Sequence, residues 1–177
     1  VAVPAGVGKG HEARSVDVMT VVERTTATEL SSKQLTTART QYGSLGSGNH
    51  FVEVCLDERD RVWVVLHSGS RGIGNQLAAH HIAVATGLMK AYFIELPDRD
   101  LAYLVQGTPE FDAYVQDLLW AQAYAAANRA EMLRLVLAEL EGFLGLEGIE
   151  TSQVNCHHNF TQLEHHRGRD LWITRKG

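Results

Sequence analysis

The stretch from Gly43 to Gly74 constrains the fold of this chain more than any other part of the sequence. It reads GSLGSGNHFVEVCLDERDRVWVVLHSGSRGIG. Two apolar runs, at residues 51–54 and 62–66, flank the charged segment LDERDR, and this pattern predicts two antiparallel strands joined by a short loop. Because the outer ends of paired strands lie side by side, we expect His50 and His67 to meet at the open end of this hairpin.

Each outer end of the hairpin carries a glycine-rich turn, which we name the first corner (residues 43–50) and the second corner (residues 67–72). Free backbone amides in such turns attract anions, and imidazole is a common metal ligand. The second corner precedes a predicted helix, whose N-terminus favours an anion, and Arg71 adds a bidentate donor, although the lysine of a P-loop is absent. The corners therefore suggest a metal beside a phosphate, whereas the simpler interpretation is two structural histidines.

Outside this hairpin, the sequence predicts a single α+β domain over residues 1–177. Helix-capping side chains, strong helix formers and apolar residues at helical spacing indicate three helices. The predicted elements are a short strand at 16–22, helices at 33–42, 73–93 and 110–144, and a second hairpin with strands at 152–165 and 170–174. We expect the two hairpins to form part of a mixed sheet that is packed by the two long helices.

The composition indicates a globular protein from a reducing compartment. Apolar residues make up 45% of the chain and charged residues 21%, which is ordinary for this class. A net charge of −5 gives no argument for nucleic-acid binding by overall charge, so any such surface would have to be local. The two cysteines, Cys55 and Cys156, are too few for a disulfide scaffold and favour a cytoplasmic location. No apolar run reaches the length of a membrane span, so we expect no membrane partner.

A second group of histidines lies near the end of the chain, in the sequence CHHNFTQLEHH. If residues 154–164 form a strand, His157 and His158 face opposite sides, so only one of them shares a site with a given partner. His165 and His166 fall at the predicted turn, where solvent exposure is the simpler interpretation.

Two further polar groups leave open the choice between a site and a solvated surface. Asn128 and Arg129 interrupt an alanine-rich helix and could face a site, but we expect a solvated turn of helix there. A basic cluster around the second hairpin could contact a polyanion. Its members are Arg167, Arg169, Arg175 and Lys176.

Four motifs resemble, in this order, the RtcB family of tRNA-splicing RNA ligases: GSLGSGNHFVEV, LHSGSRGIGNQ, WAQAYAAANR and NCHHNFTQLEHH. They extend across most of the chain, and the final ITRKG is similar to a strand that precedes further motifs of the family. The resemblance implies that the α+β domain is part of a larger RtcB-type fold. It also implies an enzyme that joins an RNA 3′-phosphate or 2′,3′-cyclic phosphate to a 5′-hydroxyl, with GTP and manganese, in tRNA splicing or RNA repair.

The same resemblance implies roles for individual residues. His50, His67 and His158 match metal ligands of a two-metal manganese site. Positions that line the family's guanylate pocket correspond to Asn49, Phe51, Glu53, His158 and Asn159. Arg71 matches an arginine that grips an RNA phosphate. The implied partners are RNA (tRNA halves or broken RNA ends), GTP and an activating protein.

Physical chemistry is compatible with these implied roles. Imidazole suits manganese less well than oxygen does, so such a site needs carboxylate or thiolate ligands as well. Phe51 could stack on a base, and Glu53, two residues further along, would share its strand face and accept hydrogen bonds from guanine.

Some residues of the family's site have no counterpart in this sequence. The aspartate and cysteine of an upstream metal motif are absent, and neither Cys55 nor Cys156 matches that cysteine. The histidine that carries GMP is expected beyond residue 177, so no catalytic nucleophile is assigned within the chain. Because the chain begins VAVPAG without methionine and ends directly after a predicted strand, we expect an internal fragment of a longer RtcB-like catalytic domain.

Two alternatives to a ligase remain open at this point. One is a related metal-dependent phosphoesterase that uses the same residues for hydrolysis. The other is a non-catalytic remnant of the same fold that binds RNA without a metal.

Residues 1–177 alone are predicted not to guanylylate themselves, because the family's GMP-carrying histidine has no match among them. Incubation with labelled GTP and manganese should therefore leave no label on the polypeptide in a denaturing gel. A stable protein–GMP adduct would contradict this expectation.

Overall fold

Four helices and two hairpins make up the fold, which we describe from a computed structural model for residues 3–12, 16–146, 148 and 151–176. The helices are α1 (Val18–Val22), α2 (Ser32–Gln41), α3 (Arg71–Ala91) and α4 (Pro109–Leu144), with a 3₁₀ turn at Arg99–Leu101. The strands are β1 (Phe51–Leu56), β2 (Val62–His67), β3 (Asn159–His166) and β4 (Arg169–Lys176). These elements confirm the predicted α+β class.

The strands form two separate antiparallel sheets of two strands each. In the first sheet Phe51 pairs with His67 and Leu56 with Val62, so the two corners lie at the same end of the hairpin. In the second sheet β3 pairs with β4 along its whole length, from Asn159 opposite Lys176 onward. Within the described residues no strand pairing joins the two hairpins, so the expected mixed sheet is not formed there.

The ends of the longer helices follow from local chemistry. At α2 the side chain of Ser31 accepts from the Gln34 amide, and the Gln34 side chain accepts from the Ser31 amide, which is a complete capping box. At α4 Thr108 caps the first turn ahead of Pro109, and Gly145 ends the helix in the left-handed conformation. No helix of the described residues is both long and apolar enough to cross a membrane.

The core lies where α4 packs against α1, α2 and α3. Trp120 and Tyr124 of α4 are fully buried and stacked, with ring centroids 5.3 Å apart. The Tyr124 hydroxyl donates to the Ala38 carbonyl of α2 at 2.7 Å, so this large ring is buried without an unpaired hydroxyl. The buried residues of this cluster are Val18, Val22, Ala38, Tyr42, Ile73, Leu77, Trp120 and Tyr124.

The strand predicted at residues 16–22 is wrong, because this segment forms helix α1. The side chain of Asp17 accepts from the Met19 amide and caps the helix, and Glu23 ends it with a positive φ. Val18 and Val22 are both buried while Thr20 between them is exposed, which fits one face of a helix, because one face of a strand would carry all three residues. The β-branched residues of this segment favour a strand, but burial of one side against α4 stabilises a helix instead.

The strand predicted from residue 152 is also wrong in its first half, since β3 begins only at Asn159. Residues 151–157 have no regular secondary structure. Asn155 instead donates from its side chain to the Ala126 carbonyl of α4 at 2.9 Å, which places this segment along the helix. Contacts with α4 therefore replace strand pairing here.

A buried carboxylate joins α4 to the loop before α2 and to α3. Asp117 is 1% exposed and accepts from the amides of Ala27 and Thr28, from the Thr28 hydroxyl at 2.5 Å and from His81 Nε2 at 2.7 Å. Burial alone would raise the pKa of Asp117, but the hydrogen bonds from Thr28, His81 and Ala27 outweigh it and hold the pKa below its usual range.

We predict that Asp117→Asn lowers the free energy of unfolding by about 1–3 kcal/mol, because an amide cannot replace a carboxylate that accepts from four donors. The folded-state pKa lies below the unfolded one, so this stabilisation is complete above the unfolded pKa near ~4 and is lost as the pH falls through the folded pKa. Urea unfolding measured at several acidic pH values should show a shallower acid loss in the variant. Glu139→Gln, at an exposed position of α4, is the control; equal acid losses in Asp117→Asn and wild type would contradict the prediction.

Candidate functional site

Three histidine rings meet at the open end of the first hairpin. The ring centroids of His50 and His67 are 5.8 Å apart, as the strand pairing predicts. The ring of His158, which directly precedes β3, stacks on His67 at 5.0 Å with an angle of 19° between the planes. His157 turns instead towards Phe160, at 6.1 Å. The chain thus brings together histidines from both corners and from the segment before β3, and we call them the histidine cluster (His50, His67 and His158).

One hydrogen bond defines the tautomer of His50. Its Nδ1 lies 2.8 Å from the Leu45 carbonyl, and because a carbonyl only accepts, Nδ1 carries the proton and Nε2 keeps its lone pair. Burial has the largest effect and lowers the pKa of His50; the Leu45 bond opposes this in part, and the positive charge of Arg71 and the His67 ring lower the pKa further. The neutral imidazole is therefore favoured, which is the form that binds metals.

The histidine cluster fits a metal in its chemistry but does not close around one. Three imidazoles are suitable donors for a transition metal. Within the described residues, however, no group of three or more His, Cys, Asp or Glu side chains is arranged to hold an ion. The stacking of His67 on His158 places the nitrogen lone pairs of the two rings in nearly parallel planes, which do not converge on a common point. The cluster is thus a partial donor set, and no carboxylate or thiolate joins it in this part of the chain.

The residues expected to line a guanylate pocket surround the histidine cluster and are exposed. Phe51 pairs with His67 across the hairpin, with ring centroids 5.7 Å apart, and Glu53 follows on the same strand face. Asn159 lies next to His158, whose Nδ1 is 3.0 Å from the Asn159 side-chain oxygen. Asn49, directly before His50, is exposed in the first corner. These side chains form an open polar surface with one aromatic ring.

Arg71 reaches from the second corner into the first. Its Nε donates to the Ser44 hydroxyl at 3.2 Å, and its guanidinium is half-buried, which lowers the pKa of Arg71. A Cβ at Gly46 would lie 1.8 Å from Arg71 Nη1 and 2.7 Å from His50 Nδ1. The absence of a side chain at Gly46 therefore allows the guanidinium and the His50 ring to lie side by side.

Asn128 and Arg129 are not a solvated turn of helix, so that expectation is wrong. Asn128 is fully buried, and its side-chain oxygen accepts from the Gly43 amide at 2.8 Å. Its Nδ2 lies 3.4 Å from the Ser44 carbonyl, the Ser68 hydroxyl and the Gly69 carbonyl. One amide thus contacts both corners. The sequence carries a signal for this burial in the four-residue spacing of Trp120, Tyr124, Asn128 and Met132, which are all buried.

Of the remaining candidate residues, His165, His166, Arg167 and Arg169 lie at the turn of the second hairpin, whereas Arg175 and Lys176 pair with Phe160 and Asn159 at the end next to His158. His165 contacts Asp170, and Glu164 accepts from both Arg175 and His166. These bonds hold the pKa of Glu164 well below its usual range. Since β3 rises about 3.3 Å per residue, His166 is roughly 23 Å from the start of the strand, so the structure does not bring His165 and His166 to the histidine cluster.

Gly46→Ala is predicted to displace both Arg71 and His50, because the new methyl group would overlap their side chains. Gly48→Ala is a matched control, since Gly48 also has a positive φ (+82° against +97°) but no heavy atom within 4 Å of an added Cβ. Each variant should lose about 1–2 kcal/mol of stability through backbone strain. Only Gly46→Ala should shift the His50 imidazole signals in NMR spectra; similar shifts in both variants would contradict the prediction.

Comparison with known proteins identifies the family. The sequence profile described as tRNA-splicing ligase RtcB matches residues 1–177. The RNA-splicing ligase RtcB of Escherichia coli K12 is 44% identical over 140 residues, which cover 76% of this chain and 34% of that protein. The tRNA-splicing ligase RtcB of Archaeoglobus fulgidus is 31% identical over 201 residues, which cover 99% of this chain and 41% of that protein. The chain spans about a third of the length of the curated relatives it matches first. The match over the whole chain shows that it belongs to the RtcB family.

Proposed function

We propose that the protein to which this chain belongs is an RNA ligase, which joins a 3′-phosphate or 2′,3′-cyclic phosphate end to a 5′-hydroxyl end in tRNA splicing or RNA repair. The family supports this proposal, and its relatives are named as RNA-splicing or tRNA-splicing ligases. The observation that carries it is the histidine cluster beside the guanidinium of Arg71. Both cysteines are free thiols, which suits the cytoplasmic location that we also propose.

The histidine cluster is the part of the site that we propose for manganese. His50 is prepared for this role, since the Leu45 carbonyl fixes its tautomer and leaves Nε2 as the donor. Imidazoles alone suit manganese poorly, so oxygen or sulfur donors from outside the cluster are needed to complete a two-metal site. When bound, the metal would neutralise charge on phosphate oxygens and polarise the phosphorus.

Arg71 is the residue that we propose for the RNA phosphate. The bond from its Nε to Ser44 orients the guanidinium, and the close approach at Gly46 keeps it beside His50. A planar guanidinium binds a phosphate through two parallel hydrogen bonds, and half-burial strengthens these bonds by lowering the local dielectric. The RNA end would therefore lie between Arg71 and the histidine cluster.

The exposed surface around the cluster is the part that we propose for GTP and its guanylate. Phe51 offers an aromatic face for stacking on the base, and Glu53 on the same strand face can accept hydrogen bonds from guanine. Asn49, His158 and Asn159 supply further polar contacts next to the metal ligands. We assign no residue of this chain as the histidine that becomes guanylylated. An activating protein would bind outside the residues assigned here to metal, RNA and GTP.

The proposal predicts that His50→Ala and His158→Ala each reduce ligation by about a hundredfold or more, because each removes a metal ligand. The full-length protein is incubated with GTP, manganese and an RNA pair that carries 3′-phosphate and 5′-hydroxyl ends. Joined RNA is measured on a gel, and bound manganese is measured by elemental analysis. Both quantities should fall together in the two variants.

His165→Ala is the matched control, since His165 is exposed at the far end of β3. This variant should join RNA at a rate within about twofold of wild type. Wild-type ligation and metal content in His50→Ala and His158→Ala would contradict the assignment. Release of inorganic phosphate without joined RNA would instead support the phosphoesterase alternative.

A further inference from the structure

The segment before β3, which carries His158, is attached to α4 by side chains. Arg129 donates from Nε to the Asn155 side-chain oxygen at 2.9 Å, and Asn155 donates from Nδ2 to the Ala126 carbonyl at 2.9 Å. Among the described residues no turn or loop hydrogen bond of the backbone involves 151–158. The Arg129–Asn155 pair, which we name the latch, therefore helps to hold this segment on α4, together with the Asn155 bond to Ala126 and the bonds between Gln122 and Thr161 that follow it.

The same guanidinium also contacts the second corner. Arg129 Nη1 donates to the Ser68 carbonyl at 3.3 Å, and Ser68 directly follows His67. Asn155 lies three residues before His158. One side chain of α4 is thus bonded close to two members of the histidine cluster, whose rings stack at 5.0 Å.

Arg129 is an unfavourable choice for stability alone. Its guanidinium is half-buried, and its Nη2 atom is buried without a hydrogen-bond partner in the described part of the chain. A charged donor that loses water without gaining a partner is destabilising, and apolar residues of similar size often replace buried charges without loss. The small cavity beside it, of about 110 Å³, is lined on one side by the apolar residues Val64, Leu66 and Leu133, and on the other by the segment 153–156. The bonds to Asn155 and Ser68 are what an apolar residue could not supply.

We propose that Arg129 is a positioning residue, which acts through the latch to set His158 against His67 and so tunes the affinity of the histidine cluster for a divalent metal. It contacts neither the metal nor the substrate. This inference rests on the proposed function, because it requires that the cluster bind a metal. It assigns to α4 the role of positioning His67 and His158.

The test compares Arg129→Met and Asn155→Ala in the full-length protein with Arg134→Met, a control on the same helix whose exposed guanidinium pairs with Glu131. Manganese affinity should fall about tenfold to a hundredfold in both latch variants and stay unchanged in the control. Because both substitutions break the same Arg129–Asn155 bond, the loss of affinity in the double variant should be smaller than the product of the two single losses. The imidazole signals of His158 in NMR spectra of the metal-free protein should shift in both latch variants and stay unchanged in the control.

A spectroscopic readout separates positioning from general destabilisation. The visible spectrum of the Co²⁺-substituted Arg129→Met protein should move towards that of His158→Ala, because both variants weaken the same ligand. Wild-type affinity and spectrum in the latch variants, with loss of metal in His50→Ala, would overturn this inference and leave the proposed function standing. Failure of the wild-type protein to bind Mn²⁺ or Co²⁺ would overturn the proposed metal site and the inference together.

Discussion

The buried side chain of Asn128 contacts two loops that are far apart in the sequence. Its amide oxygen accepts from the first corner, and its amide nitrogen faces carbonyl and hydroxyl oxygens of both corners. These loops have irregular backbones, so their polar groups cannot be satisfied by secondary structure. A primary amide has both donors and acceptors, which lets one residue satisfy both loops at once. The relative position of His50 and His67 depends on this contact as well as on the strands.

Electrostatics distinguishes this corner region from the surface around it. Arg71 and Arg129 are half-buried, His50 is favoured in its neutral form, and the described residues place no carboxylate in the cluster. The acidic groups of the second hairpin, Glu164 and Asp170, are paired locally at its far end. A region with neutral and positive groups only is suited to anions and divalent metals together, since a phosphate then supplies the negative charge that the protein side lacks.

Local patterns were sufficient to predict several elements from the sequence. Alternating apolar residues predicted β1 and β2, and helix-capping side chains ahead of residue 33 marked the start of α2, because period and capping are local properties. The pairing of Phe51 with His67 followed from the hairpin alone. The strands predicted at residues 16–22 and 152–158 are wrong because contacts with α4 determine the conformation of both segments. Predicting the burial of Asn128 requires knowing which face of α4 meets the corners. The alanine-rich composition of α4 obscures this face, although the four-residue spacing from Trp120 to Asn128 indicates it.

Helix α4 carries two polar anchors on one face. Asp117 bonds the loop before α2, and Asn128 bonds the corners eleven residues later. Eleven residues correspond to about three turns, so both side chains point in nearly the same direction about 16 Å apart. A single-residue insertion between them would rotate one anchor by about 100° relative to the other and leave buried partners unsatisfied. The stretch of α4 between Asp117 and Asn128 should therefore tolerate substitutions on its outer face but neither insertions nor deletions, because even a whole-turn insertion would move one anchor about 5 Å along the helix axis.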